Sequence, residues 1–97
     1  MIAAGLVANP GFFVSEQGFD PPIAHVPGSG VYVLTLTNPP PTLANAVVTA
    51  LLSTNPGTPG QVVRTADIGL NMITIETFNA AGVPTDLSFN IVVHDVT

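Results

Sequence analysis

The chain has 97 residues, of which 7% are charged and 46% hydrophobic; a single arginine and no lysine stand against six carboxylates, for a net charge of −5. One domain spanning 1–97 fits this length and two independent cores do not, while the absence of cysteine excludes a disulfide framework or a thiolate metal site. One base cannot neutralise a phosphate track or an anionic lipid surface, so neither nucleic-acid nor membrane-surface binding fits.

The opening residues 1–8 (MIAAGLVA) are apolar but lack the basic flank of a secretory leader, and residues 2–8 read better as a first strand. No apolar run approaches the ~20 residues of a membrane span, which predicts a soluble chain with no membrane insertion; its compartment is left open, with a virion or an extracellular assembly among the candidates. After Asn9-Pro10-Gly11 come strand-like runs at 12–15 and 23–26, separated by Asp20-Pro21-Pro22. Pro27-Gly28-Ser29-Gly30 is a turn, because Pro presets the first central residue and Gly accepts positive φ.

Residues 30–37 place Tyr32, Leu34 and Leu36 on one side and Val31, Val33, Thr35 and Thr37 on the other, so both faces are largely β-branched or apolar. Asn38-Pro39-Pro40-Pro41 has the form of a polyproline ligand but no flanking base, and reads as loop stiffening. Residues 45–53 are apolar on both faces. Leu43, Ala46, Val47 and Ala50 also recur near helical spacing, but the Val47-Val48-Thr49 centre and the flanking prolines favour a strand. Beyond the turn at 55–60 lie a run at 61–66 and an alternating one at 72–78, with Ile73, Ile75 and Thr77 against Met72, Thr74, Glu76 and Phe78. Residues 87–96 alternate most clearly, with Leu87, Phe89, Ile91 and Val93 on one face and Ser88, Asn90, Val92, His94 and Val96 on the other.

Short strand-like runs with regular turns, and loops too brief for parallel crossovers, predict an all-β fold: a small antiparallel β-sandwich, jelly-roll-like or Ig-like, of seven or eight strands. Strands apolar on both faces need cover on both. The expected interface between copies is therefore Val31, Val33, Thr35, Val48, Ala50, Val92 and His94; the blander reading is scattered exposed Val and Ala.

Catalytic chemistry finds little support. His25 and His94 are the only imidazoles, and Asp95 points to the opposite strand face from His94. No metal site or cofactor is expected, since zinc needs three or four converging ligands, although His94 residues gathered on a symmetry axis would make a shared, pH-sensitive ion site. Asp20, Asp67 and Asp86 border turns and read as turn residues, and Glu76 as the polar member of an alternating strand. Arg64 is expected to pair with Asp67 or Asp20. Neither a nucleophile elbow nor a phosphate-cradling loop followed by Lys occurs.

The succession Gly30-Val31-Tyr32-Val33-Leu34-Thr35-Leu36, Ala46-Val47-Val48-Thr49-Ala50, and Ile75-Glu76-Thr77-Phe78-Asn79-Ala80-Ala81-Gly82-Val83-Pro84-Thr85-Asp86-Leu87 through Val93 resembles small bacterial and phage β-domains found at the C-terminal end of tail-fibre or collagen-like proteins. The resemblance implies a β-domain that assembles with itself as a trimer, serves a structural or receptor-facing role, and has no catalytic residues. It also makes 79–82 a hairpin turn with Gly82 at positive φ. The leading function is thus a non-enzymatic, self-assembling module of a fibre, virion or surface assembly. The alternative is a module binding a glycan or surface receptor, with Asp20 and Tyr32 as ligand residues beside Phe12, Phe13 and Phe19.

Overall fold

In the computed structural model, which describes residues 2–8, 12–39, 46–52 and 60–95, the alternation of residues 30–37 becomes a strand whose Tyr32, Leu34 and Leu36 are fully buried and whose intervening residues are half-exposed. The same period-two logic yields eight strands in chain order: β1 (Ala3–Ala8), β2 (Phe12–Gln17), β3 (Phe19–His25), β4 (Val31–Leu36), β5 (Ala46–Leu52), β6 (Gly60–Ile68), β7 (Met72–Asn79) and β8 (Phe89–Asp95). Each corresponds to one of the runs read from the sequence, with β3 starting four residues earlier than the run at 23–26. The ambiguous segment around Val47 and Val48 is a strand. The turns read at 9–11, around Pro40 and Pro41, and at 55–59 lie outside the described residues.

The strands form two four-stranded sheets, ordered β2-β1-β8-β5 and β3-β4-β7-β6, with every pairing antiparallel. The fold is a β-sandwich. Between the sheets the first contributes Ala3, Val7, Ala46, Phe89, Ile91 and Val93, and the second Phe19, Ile23, Tyr32, Leu34, Leu36, Ile73 and Ile75. Burial of side chains this size stabilises by about 1.5–3 kcal/mol each, which lets one small core stand without a disulfide.

Two junctions join the sheets along their sides. At one, the chain passes from β2 directly into β3 through Gly18, whose φ of 85° suits glycine and whose site has no room for a side chain beside the Ile2 carbonyl and Ala3. At the other, β5 lies against β6. There Arg64 Nη1 donates to the Ala46 carbonyl at 2.6 Å, tying the second sheet to the first, while Asp67 accepts from Nε at 3.0 Å and from Nη2 at 2.8 Å. Of the two partners considered for Arg64, the structure selects Asp67; Asp20 instead accepts from the Thr37 hydroxyl at 2.6 Å.

No helix among the described residues is long and apolar enough to cross a membrane.

Candidate functional site

Polar chemistry concentrates at one end of the sandwich. The β3–β4 turn holds Gly28 at φ 84° and Gly30 at φ 71°. Both amides point at one carboxylate: Gly28 N donates to Asp86 Oδ2 at 2.7 Å and Gly30 N to Oδ1 at 2.8 Å. Gly30 is constrained twice, since an added Cβ would come within 2.7 Å of the Thr77 carbonyl and 2.8 Å of the Thr85 amide. Thr77 is buried and serves as a hub: its hydroxyl donates to the Thr85 carbonyl at 2.5 Å and accepts from the Leu87 amide at 3.3 Å.

His25, at the end of β3, completes the cluster. Its Nδ1 lies 2.6 Å from the Val31 carbonyl, which can only accept, so this nitrogen carries a proton. Nε2 lies 3.1 Å from Asp86 Oδ2, an ion-pair distance without the alignment of a hydrogen bond. The ring stacks on Tyr32, with centroids 4.2 Å apart and planes 2° from parallel, and Tyr32 meets the edge of Phe89 at 5.1 Å. Burial on its own raises the Asp86 carboxyl, but the Gly28 and Gly30 amides and the His25 ring outweigh it and hold the group below its ordinary value. Burial, and then the Asp86 charge, push the Tyr32 phenol up.

This constellation resembles half of a catalytic triad, and Ser29 lines the same open groove of about 430 Å³ with Ala24, His25 and Val33. The hydrogen bonds give it another character. Ser29 Oγ donates to the Val26 carbonyl at 2.6 Å and accepts from the Val31 amide at 3.1 Å, while both imidazole nitrogens face oxygens of the protein itself. Neither nitrogen of His25 is turned to a nucleophile among the described residues. The cluster is a latch that fastens the β3–β4 turn to the segment joining β7 and β8.

The outer faces of the sandwich are chemically different. In antiparallel pairs, residues opposite one another share a face. On the first sheet the register places Ala4, Leu6 and Val92 outward beside Ser15, Asn90 and His94, and on β5 it places Val47, Thr49 and Leu51 outward. Among the described residues that the register sets on this face there is no Asp, Glu, Lys or Arg. Val47 is 45% exposed and Leu51 66%. The second sheet shows Val31, Val33, Thr35, Met72 and Val63 outward, but with Glu76 near its centre and Asp20 at its edge.

The expected interface residues therefore do not form one surface. Val31, Val33 and Thr35 lie on the outer face of the second sheet, and Val92 and His94 on the outer face of the first. Val48 and Ala50 are a correction: they pair with Val93 and Ile91, two buried residues, so both face the interior, and Val48 packs against the core. On a strand apolar along both faces, period two does not say which face is inside. Tyr32 is a second correction. Its ring is fully buried between His25 and Phe89 and offers no platform to a ligand. Phe19 is buried as well, stacked on Phe13 at 5.2 Å, and Asp20 is bonded to Thr37, so these three do not converge on an open site; the Phe12 side chain lies outside what is described.

The reading of Asp86 as a local turn residue missed its partners, which lie more than fifty positions earlier in the chain. The spacing of the two glycines was the available signal, since residues at positive φ point successive amides into an anion-binding concavity. Gly82 has the positive φ expected of it, 80°. No three His, Asp or Glu side chains among the described residues are grouped to hold a metal ion.

Set against known protein families, curated proteins and solved structures, the chain matches none of them.

Proposed function

We propose that this protein is a non-enzymatic structural module that associates with copies of itself through its first sheet, as the building unit of a fibre, virion or surface layer. The observation that carries the reading is the outer face of that sheet, on which the strand register sets no Asp, Glu, Lys or Arg among the described residues, on a chain of net charge −5. Like-charged molecules repel one another, and this is the surface on which two copies meet without opposed carboxylates. Its composition, aliphatic residues among Ser, Thr and Asn, is that of an interface depleted in charge. The engagement of both His25 nitrogens within the protein supports a non-catalytic reading. Trimeric assembly, implied by the resemblance to tail-fibre and collagen-like terminal domains, is one form such association takes.

Amide hydrogen exchange at low and high protein concentration tests this reading. Self-association through the first sheet predicts added protection in β1, β5 and β8 as concentration rises, with β3, β4 and β7 unchanged. Protection confined to the second sheet, or identical exchange at both concentrations, overturns it.

A further inference from the structure

We infer that the Gly28 and Gly30 amides and His25 form a binding site for a planar carboxylate, of which Asp86 is the tethered occupant: with that side chain withdrawn, the site takes a small monocarboxylate from solution. The inference goes beyond the structural role proposed above and stands independently of it.

The site recognises a shape as well as a charge. Asp86 Oδ2 accepts from Gly28 N at 2.7 Å and Oδ1 from Gly30 N at 2.8 Å, so each oxygen of one planar head meets its own amide. A spherical ion offers one centre where these amides address two. His25 Nε2 lies 3.1 Å from Oδ2, on a side chain only 4% exposed. Glycines at positive φ that turn their amides toward one point make an anion-binding concavity. Burial works against a charged group here, yet the two amides and the His25 ring overcome it and hold the Asp86 carboxyl below its ordinary value, so the surroundings favour the anion.

The walls of the site are held by bonds that do not pass through the Asp86 carboxylate. In the turn, Ser29 Oγ donates to the Val26 carbonyl at 2.6 Å and accepts from the Val31 amide at 3.1 Å. His25 is fixed by the Val31 carbonyl and by its stack on Tyr32. On the facing wall Pro84 bridges to Phe78, the Thr85 amide donates to the Thr77 carbonyl at 3.0 Å, and the Thr77 hydroxyl accepts from the Leu87 amide at 3.3 Å. The Thr77 amide donates to the Gly30 carbonyl at 2.8 Å and joins the two walls directly. A shortened side chain at position 86 therefore leaves two aligned amides and an imidazole around a space of carboxylate size. A site organised before its ligand arrives loses little to ordering on binding. In the natural chain the short tether keeps the Asp86 carboxylate at a high effective concentration, and free carboxylates do not displace it.

The test sets Asp86→Ala in formate or acetate against the same variant in chloride, at equal ionic strength and neutral pH. In carboxylate its melting temperature is expected to rise along a saturating curve, by about 5 °C or more once the anion is several-fold above its Kd. The Gly28 and Gly30 amide NMR signals are expected to move along the same curve. If the variant is unfolded in chloride, recovery of its β-sheet circular dichroism in formate is the equivalent rise. The natural chain and Asp86→Asn, whose side chains fill the site, are expected to show only the small salt response common to all three. Formate no better than chloride for Asp86→Ala, folded or not, overturns the site. An equal rise in the natural chain, or movement of other amides without Gly28 and Gly30, overturns it too, because the effect is then one of salt on the protein at large.

Discussion

The Asp86 carboxylate lies 3.1 Å from Nε2 of His25, and this pair joins two stretches of chain that no strand pairing connects at that end of the sandwich. Asp86 also holds the amides of Gly28 and Gly30. Removing it strands two amides and leaves a largely buried imidazole without its carboxylate. Asp86→Ala is expected to lower the free energy of unfolding by about 3 kcal/mol, the cost of lost charge-assisted hydrogen bonds and a broken partly buried pair. Urea denaturation measures it; a loss below about 0.5 kcal/mol would be that of an ordinary surface position and would remove the latch from this account.

The same carboxylate sets a pH dependence. Its folded pKa lies below its ordinary value, so the folded state favours the ionised form more than the unfolded state does. The sign follows: this contribution is fully present above the unfolded pKa of about 3.9 and is lost as pH falls through the lower folded value. Unfolding free energy measured from neutral pH down into that acid window should fall more steeply for the natural chain than for Asp86→Asn. Equal slopes would mean that Asp86 does not carry the effect.

Gly30 and Gly28 separate two reasons for glycine in one turn. Both have positive φ, but only Gly30 has backbone atoms where a Cβ would sit. Gly28→Ala is expected to cost about 1 kcal/mol from its dihedral alone, and Gly30→Ala more than about 2 kcal/mol from dihedral and collision together. Thermal unfolding of the two variants orders them, and the reverse order contradicts the packing described at Thr77 and Thr85.

Thr74 sits near the middle of the second sheet with its hydroxyl buried and without a hydrogen-bond partner among the described residues. Valine keeps the shape and removes the unpaired group, so Thr74→Val should raise stability by about 1 kcal/mol. A lower melting temperature in the variant would mean that the hydroxyl is satisfied.

The strands were legible because their alternation and turn residues agree. Tyr32, Leu34 and Leu36 mark one buried face, and Phe89, Ile91 and Val93 the other side of the same core. The direction of β5 was not legible, since Val47, Val48, Ala50 and Leu51 are apolar whichever way the strand faces; only its pairing of Val48 with Val93 decides. The latch was equally hidden. His25 and Asp86 belong to separate hairpins, and nothing local to either position signals that the turn at Gly28 to Gly30 will fold onto Asp86. Tyr32 shows the same limit, because an aromatic residue on an alternating strand reads alike as platform or as core until the His25 and Phe89 rings are placed against it.

Native mass by light scattering, followed across a wide range of protein concentration at neutral pH, bears most directly on the claim that this sandwich is made to assemble. The account predicts a mass that rises with concentration to a whole-number multiple of the chain. A mass that stays at a single chain up to the highest concentration would contradict it.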